Sequence, residues 1–132
     1  MRKTAFILTA AIALAATGVL AQGSNKIKSL SVDDFQLNSA NELVEICTLE
    51  SAHPDFQTAM GFCYGFISGG GHFHDALSQG PEFNRMVCTP KGVTHDQVVK
   101  VFTAYTRDNP QFLKEPAMDV LFRAAVAEWP CG

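Results

Sequence analysis

The sequence predicts an all-α fold, a small bundle of about four main helices stapled by two disulfides. Three observations carry that expectation. Capping boxes at Ser39-Ala40-Asn41-Glu42 and Thr94-His95-Asp96-Gln97 each open a segment with helical apolar spacing. Four cysteines stand in a chain that starts as exported chains do. No segment sustains the alternation a strand requires.

Met1-Arg2-Lys3 is a positive start, and Thr4 to Leu20 is apolar apart from three threonines. With Val19-Leu20-Ala21 at the cleavage position, residues 1–21 read as a secretory signal peptide, cut after Ala21, rather than an uncleaved anchor. No cysteine stands directly after the cut, all four lying far downstream, which argues against a lipoprotein. Removing residues 1–21 takes away Arg2 and Lys3, leaving eight basic against thirteen acidic residues and a formal charge of −5 over 111 residues. That is one small domain. Its acidic balance argues against nucleic acid and against an anionic membrane surface as partners.

Residues 22–38 lack periodicity and read as an extended or partly mobile N-terminal arm, ahead of a domain over residues 39–132. Behind the first capping box, Leu43, Val44, Ile46 and Cys47 share a face, so a short helix is expected to about Glu50. Ala52-His53-Pro54-Asp55 is a turn and a helix start. The central helix then runs to about Ser78. Phe56, Ala59, Met60, Cys63, Phe66, Ile67, Phe73 and Leu77 gather on one face, while Gly61, Gly65, Ser68, Gly69 and His72 gather opposite. Each glycine costs a helix up to about 1 kcal/mol relative to alanine. The smooth side is therefore expected to receive another backbone, and Gly69-Gly70-Gly71 to loosen or bend the helix. A membrane span fails on length, because the uncharged run from Gln57 to Gly71 is too short.

A loop over residues 79–86 leads to Cys88. The third helix carries Val98, Val99, Val101, Phe102 and Tyr105 on its apolar face and ends at Asn109-Pro110. Pro116 opens the last helix, with Met118, Leu121, Phe122, Ala125 and Trp129 on one stripe and Val120, Ala124 and Ala127 on a second. A helix this apolar is either wrapped on two sides or set at a subunit interface, and the interface is the preferred reading.

Cys47 near the end of the first helix faces Cys63 inside the second, and Cys88 before the third faces Cys131 after the fourth. Antiparallel neighbours bring these ends together, so Cys47–Cys63 and Cys88–Cys131 are the expected bridges among three possible pairings. Zinc is the competing use of four cysteines, but no pair has the short spacing of a structural site.

Nothing in the sequence marks an enzyme: it has no G-x-S-x-G elbow, phosphate-binding loop, H-E-x-x-H or dinucleotide fingerprint. No catalytic group, cofactor or metal is expected. His72-Phe73-His74-Asp75 is the one suggestive cluster. His72 and His74 diverge by about 160° around a helix and do not share an ion. His72 with Asp75 reads first as an ion pair, then as a partner contact or half of a metal site. His74 reads as a core or boundary histidine satisfied by a neighbour. Partner contacts are expected from two loops, Glu82, Phe83, Asn84 and Arg85 in one and Arg107, Asn109 and Gln111 in the other, since aromatic and arginine side chains suit hot spots.

Several segments together resemble a known family. Cys63-Tyr64-Gly65-Phe66-Ile67-Ser68-Gly69 with Asp75-Ala76 is similar to its C-x-G-aromatic-aliphatic-x-G segment. Cys88-Thr89-Pro90-Lys91-Gly92-Val93-Thr94 with Gln97-Val98-Val99 is similar to its C-x-P-x-G-V-T-x-x-Q segment. Tyr105, Asn109-Pro110, Ala117, Leu121, Ala125 and Trp129-Pro130-Cys131 follow in order. The chain thus resembles the Rap/Tai group of periplasmic immunity proteins. It departs from the pattern at Gly71, at His72 and at Asn109, where a histidine is common. The resemblance implies a small helical, disulfide-containing periplasmic protein, a homodimer, that binds a type VI secreted peptidoglycan amidase and blocks its cleft. The alternative is a general periplasmic helper or stress protein of the same fold, without a toxin partner, using the apolar last helix.

Overall fold

The computed structural model describes residues 28–132; the expected signal peptide and the first part of the arm lie outside them. Four α-helices follow: α1 (Ala40–Cys47), α2 (Phe56–Leu77), α3 (His95–Asp108) and α4 (Ala117–Glu128), with 3-10 turns at Val32–Phe35 and Pro110–Phe112. Among the described residues the extended pairing is a single bridge between Val87 and Pro130.

Both capping boxes form. Ser39 Oγ accepts from the Glu42 amide at 3.4 Å, and Thr94 Oγ1 from the Gln97 amide at 3.3 Å. The Gln97 side chain reaches back to the Thr94 amide at 2.8 Å. Each box satisfies amides that a helix start otherwise leaves unpaired. In the turn ahead of α3, Gly92 takes φ +87°, a conformation glycine reaches without a Cβ penalty.

α1 is the innermost element: Ala40, Leu43, Ile46 and Cys47 are all buried. It ends at Cys47 rather than about Glu50. On one side it packs on α2 through Ala59 and Cys63; on the other it meets Phe102 of α3 and Ala117, Val120, Leu121 and Ala124 of α4. The Ala40 and Asn41 amides donate to the Glu115 and Leu113 carbonyls at 2.8 and 2.9 Å, which fixes α1 against the α3–α4 connection. Val120 and Ala124, the second stripe of α4, are buried inside the chain by these contacts. The reason for placing that stripe at a subunit interface is thereby removed, and Ala127 alone of the three stays exposed.

The expected disulfides are present, Cys47–Cys63 and Cys88–Cys131, spanning 16 and 43 residues. Closing loops of those lengths stabilises the fold by roughly 3 and 4 kcal/mol on the chain-entropy account.

The described part of the arm is docked, contrary to the mobile reading. The Leu30 amide donates to Asp55 Oδ2 at 2.8 Å, and His53 Nε2 lies 3.1 Å from the Lys28 carbonyl. His53 Nδ1 accepts from the Asp55 amide at 3.0 Å, so Nε2 carries the proton and donates. Leu30, Phe35 and Leu37 pack on the core. The residues that start α2 thus also hold the segment before α1.

α2 is continuous through Gly69-Gly70-Gly71. A Cβ built on Gly70 meets Met118 Sδ at 2.8 Å, so this glycine is the one where α4 approaches closely. The smooth face behaves otherwise than expected. Gly61, Gly65 and Gly69 are exposed, and a Cβ at each has nothing within 4 Å. No backbone of the described residues fills that face. Gly65→Ala should therefore raise stability by about 0.5–1 kcal/mol, since it meets open space and restricts the unfolded chain. Gly70→Val should lower it by about 1–3 kcal/mol through overpacking. Thermal melts of both variants check the pair; a stabilising Gly70→Val would contradict this packing.

Candidate functional site

α2 overhangs its neighbour. At about 1.5 Å per residue, its 22 residues far outreach the eight of α1. The overhanging half touches α4 locally, with Gly70 against Met118 and Phe122 and the His74 ring 5.5 Å from that of Phe122. A cavity of about 220 Å³ opens along this seam, between His74 and Ile67 of α2, Leu121, Phe122 and Trp129 of α4, and Val87 and Arg85 of the loop after α2.

That loop is fastened at both ends. His74 is buried, 4 % exposed, and its Nε2 accepts from the amides of Met86 at 3.2 Å and Val87 at 3.4 Å. The Phe83 ring stands edge-on to His74 at 5.8 Å. Arg85 Nη1 donates to Asp75 Oδ1 at 2.7 Å, and this bond, more than the accompanying charge, holds the Asp75 carboxyl below its usual range. On the far side the Cys88 amide donates to the Trp129 carbonyl at 2.9 Å and the Cys131 amide to the Met86 carbonyl at 3.4 Å, beside the Cys88–Cys131 bond. A loop ordered in this way has little conformational freedom left to lose in any contact it makes.

His74 is the satisfied core histidine the sequence suggested. Asp75 pairs with Arg85, ten residues on, and not with His72, which is exposed. No local pattern announces that pair, because the loop's return path sets it. In the first nominated loop Glu82, Asn84 and Arg85 are exposed and Phe83 is half-buried.

The second nominated loop lies elsewhere. Arg107 is exposed and bonded to Asp108 at 3.1 Å. Asn109 Nδ2 donates to the Tyr105 carbonyl at 2.9 Å and so closes α3. Gln111 is exposed and reaches Asn109 Oδ1 at 3.5 Å. This loop adjoins the start of α1, whereas residues 79–86 adjoin the end of α4. The second loop also leads into the start of α4, whose twelve residues put the two about 18 Å apart, so they do not form one surface.

A polar cluster the sequence reading did not identify joins α2 to α3. Ser68 Oγ lies 2.7 Å from His95 Nε2, the Tyr64 ring stacks on His95 at 5.1 Å, and the Tyr64 hydroxyl donates to Asp96. The signal was Tyr64 and Ser68 four apart on the central helix, opposite a helix start carrying His95-Asp96. Serine and imidazole at this distance match a nucleophile and its base. Here they sit on the surface and stitch two helices. The bond to Asp96 raises the Tyr64 phenol above its usual range, with burial second. The bond's stabilisation is therefore present below the range where a free tyrosine ionises and is lost as pH rises through the raised value. Tyr64 should ionise at higher pH than it does in Asp96→Ala; equal titration by ultraviolet absorbance would contradict the bond.

Among the described residues, no group of three or more histidine, cysteine, aspartate or glutamate side chains is arranged to hold a metal ion. No described helix is long and apolar enough to cross a membrane.

Comparison with known proteins gives one result. No curated protein and no solved structure matches the chain. The family model of the Rap1a immunity proteins matches residues 39–131, which hold all four helices and both disulfides. The chain belongs to the Rap1a immunity protein family.

Proposed function

We propose that the protein is a periplasmic immunity protein that binds a type VI secreted peptidoglycan amidase and occludes its cleft. It acts through its surface, without catalysis and without a cofactor. The observation that carries this is the fastened loop over residues 79–86, offering Arg85 and Phe83 beside the seam cavity, in a chain of an immunity family. The two disulfides suit an oxidising compartment, as does the exported start of the sequence. Arg107 and Gln111 form a second contact area on the opposite end. A homodimer is the assembly we propose, as the resemblance implies, and exposed Phe73 and Leu77 offer it apolar surface.

A helper that holds unfolded clients is the second reading. Phe73 at 65 % exposure, with Met86 at 44 %, favours it, because large apolar side chains this open can bind several partners.

Co-expression with the candidate amidase exported to the periplasm separates the two. Immunity predicts survival and a stoichiometric complex. Arg85→Ala or Phe83→Ala should weaken binding at least about tenfold, as hot-spot truncations do, and Ser68→Ala should leave protection unchanged. Lysis despite full expression would overturn the proposal, and protection of unrelated unfolded clients would favour the helper.

A further inference from the structure

The sequence holds four histidines, all in the described residues. Two tolerate a second proton where they stand, and a third is remote from the loop after α2. His72 is exposed. His95 Nε2 faces the Ser68 hydroxyl, which can turn to accept instead of donate. His53 Nδ1 accepts from a single amide, that of Asp55 in its own turn, so a second proton there removes one local bond and leaves the loop after α2 untouched.

His74 differs. Its Nε2 is the acceptor for two backbone N–H groups, those of Met86 and Val87, and an accepting nitrogen carries no proton. The docked loop therefore requires the neutral ring, protonated on Nδ1. A second proton goes on Nε2 and sets an N–H against two N–H donors, removing both bonds. The surroundings offer the resulting cation little. From α4 it meets the Phe122 ring, and from the loop the edge of Phe83. On α2 itself Asp75 Oδ1 is 3.9 Å from Nδ1, too far for a hydrogen bond, and that carboxylate is already bonded to Arg85 and open to solvent. His72, the other titratable group near Asp75, is a potential like charge. The ring is reached by solvent through the cavity it lines.

We propose that His74 is a pH-operated latch: neutral, it fastens residues 83–87 to α2; doubly protonated, it releases them. The sign follows from proton count. The docked state holds one proton fewer at this ring than the released state, so docking weakens as pH falls through the range where imidazoles charge, roughly pH 8 to 5. The latch is a property of the fold. Its consequence, weaker partner binding in a mildly acidic envelope, rests on the function proposed above, so the test reads the loop and not the partner.

The mature chain is followed from about pH 7.5 to about pH 5 by amide hydrogen exchange at Met86 and Val87, corrected for intrinsic rates, and by Trp129 fluorescence. Trp129 is the single tryptophan and lines the same cavity. Protection of the two amides should fall by up to about tenfold per unit of pH below the transition, with Trp129 changing in step and the α1 amides unaffected. His74→Gln, whose side-chain carbonyl accepts but does not titrate, should abolish the transition, and His72→Gln should leave it intact. Constant protection, or the same transition in His74→Gln, would overturn the latch. Should His74→Gln not fold, ring resonances of His74 in the wild type decide: a ring that charges while both amides stay protected overturns it equally.

Discussion

The Cys47–Cys63 bond is the constraint on which the rest depends. α2 carries five glycines, which together disfavour a helix by about 4–5 kcal/mol relative to alanine. Its outer face gains back little beyond the surface bond from Ser68 to His95, because Gly61, Gly65 and Gly69 meet open space. Stability must come from the inner face, and Cys63 lies at its centre, fully buried. The bond fixes that point to α1, which is itself clasped by α3 and α4. A helix that would fray alone is thus referred to the best-buried element in the molecule.

From this frame the overhang follows. Beyond Gly70, α2 leaves the shelter of α1 and leans on Met118 and Phe122. The imperfect fit of two helices meeting only over part of their length leaves the seam cavity. Residues 79–88 close its mouth, held by one buried histidine, one exposed ion pair and the second disulfide. Covalent and hydrogen-bonded fastening around an incompletely filled seam gives a rigid loop without a deep core beneath it. That combination suits a protein whose contribution is a shaped surface.

Local rules made much of this visible in the sequence. Ser39 with Glu42 and Thr94 with Gln97 are each a self-contained chemical unit, and both helix starts follow from them. The cysteine pairing was legible because helix ends can be placed from caps and prolines. Hidden features all depend on distant returns of the chain. Asp55 starts α2 locally, yet also receives the Leu30 amide 25 residues upstream, which turns an apparent arm into a docked strap. Glycine spacing identified a smooth face but not which glycine α4 would press on; Gly70 lies on the opposite, inner face. Asp75 looked to His72 within its own helix and found Arg85 through the loop. The contact residues nominated from composition fall at two ends of the molecule, because side-chain type carries no information about where a loop is carried.

The central claim is that α2 is held by its covalent tie to α1 and not by its own helical preference. Hydrogen exchange along α2 in a Cys47→Ala/Cys63→Ala double variant tests it most directly, with the Cys88–Cys131 bond intact. The account predicts that amides from Gly61 to Ala76 lose most of their protection while those of α3 and α4 remain slow. Undiminished protection along α2 in that variant would contradict it.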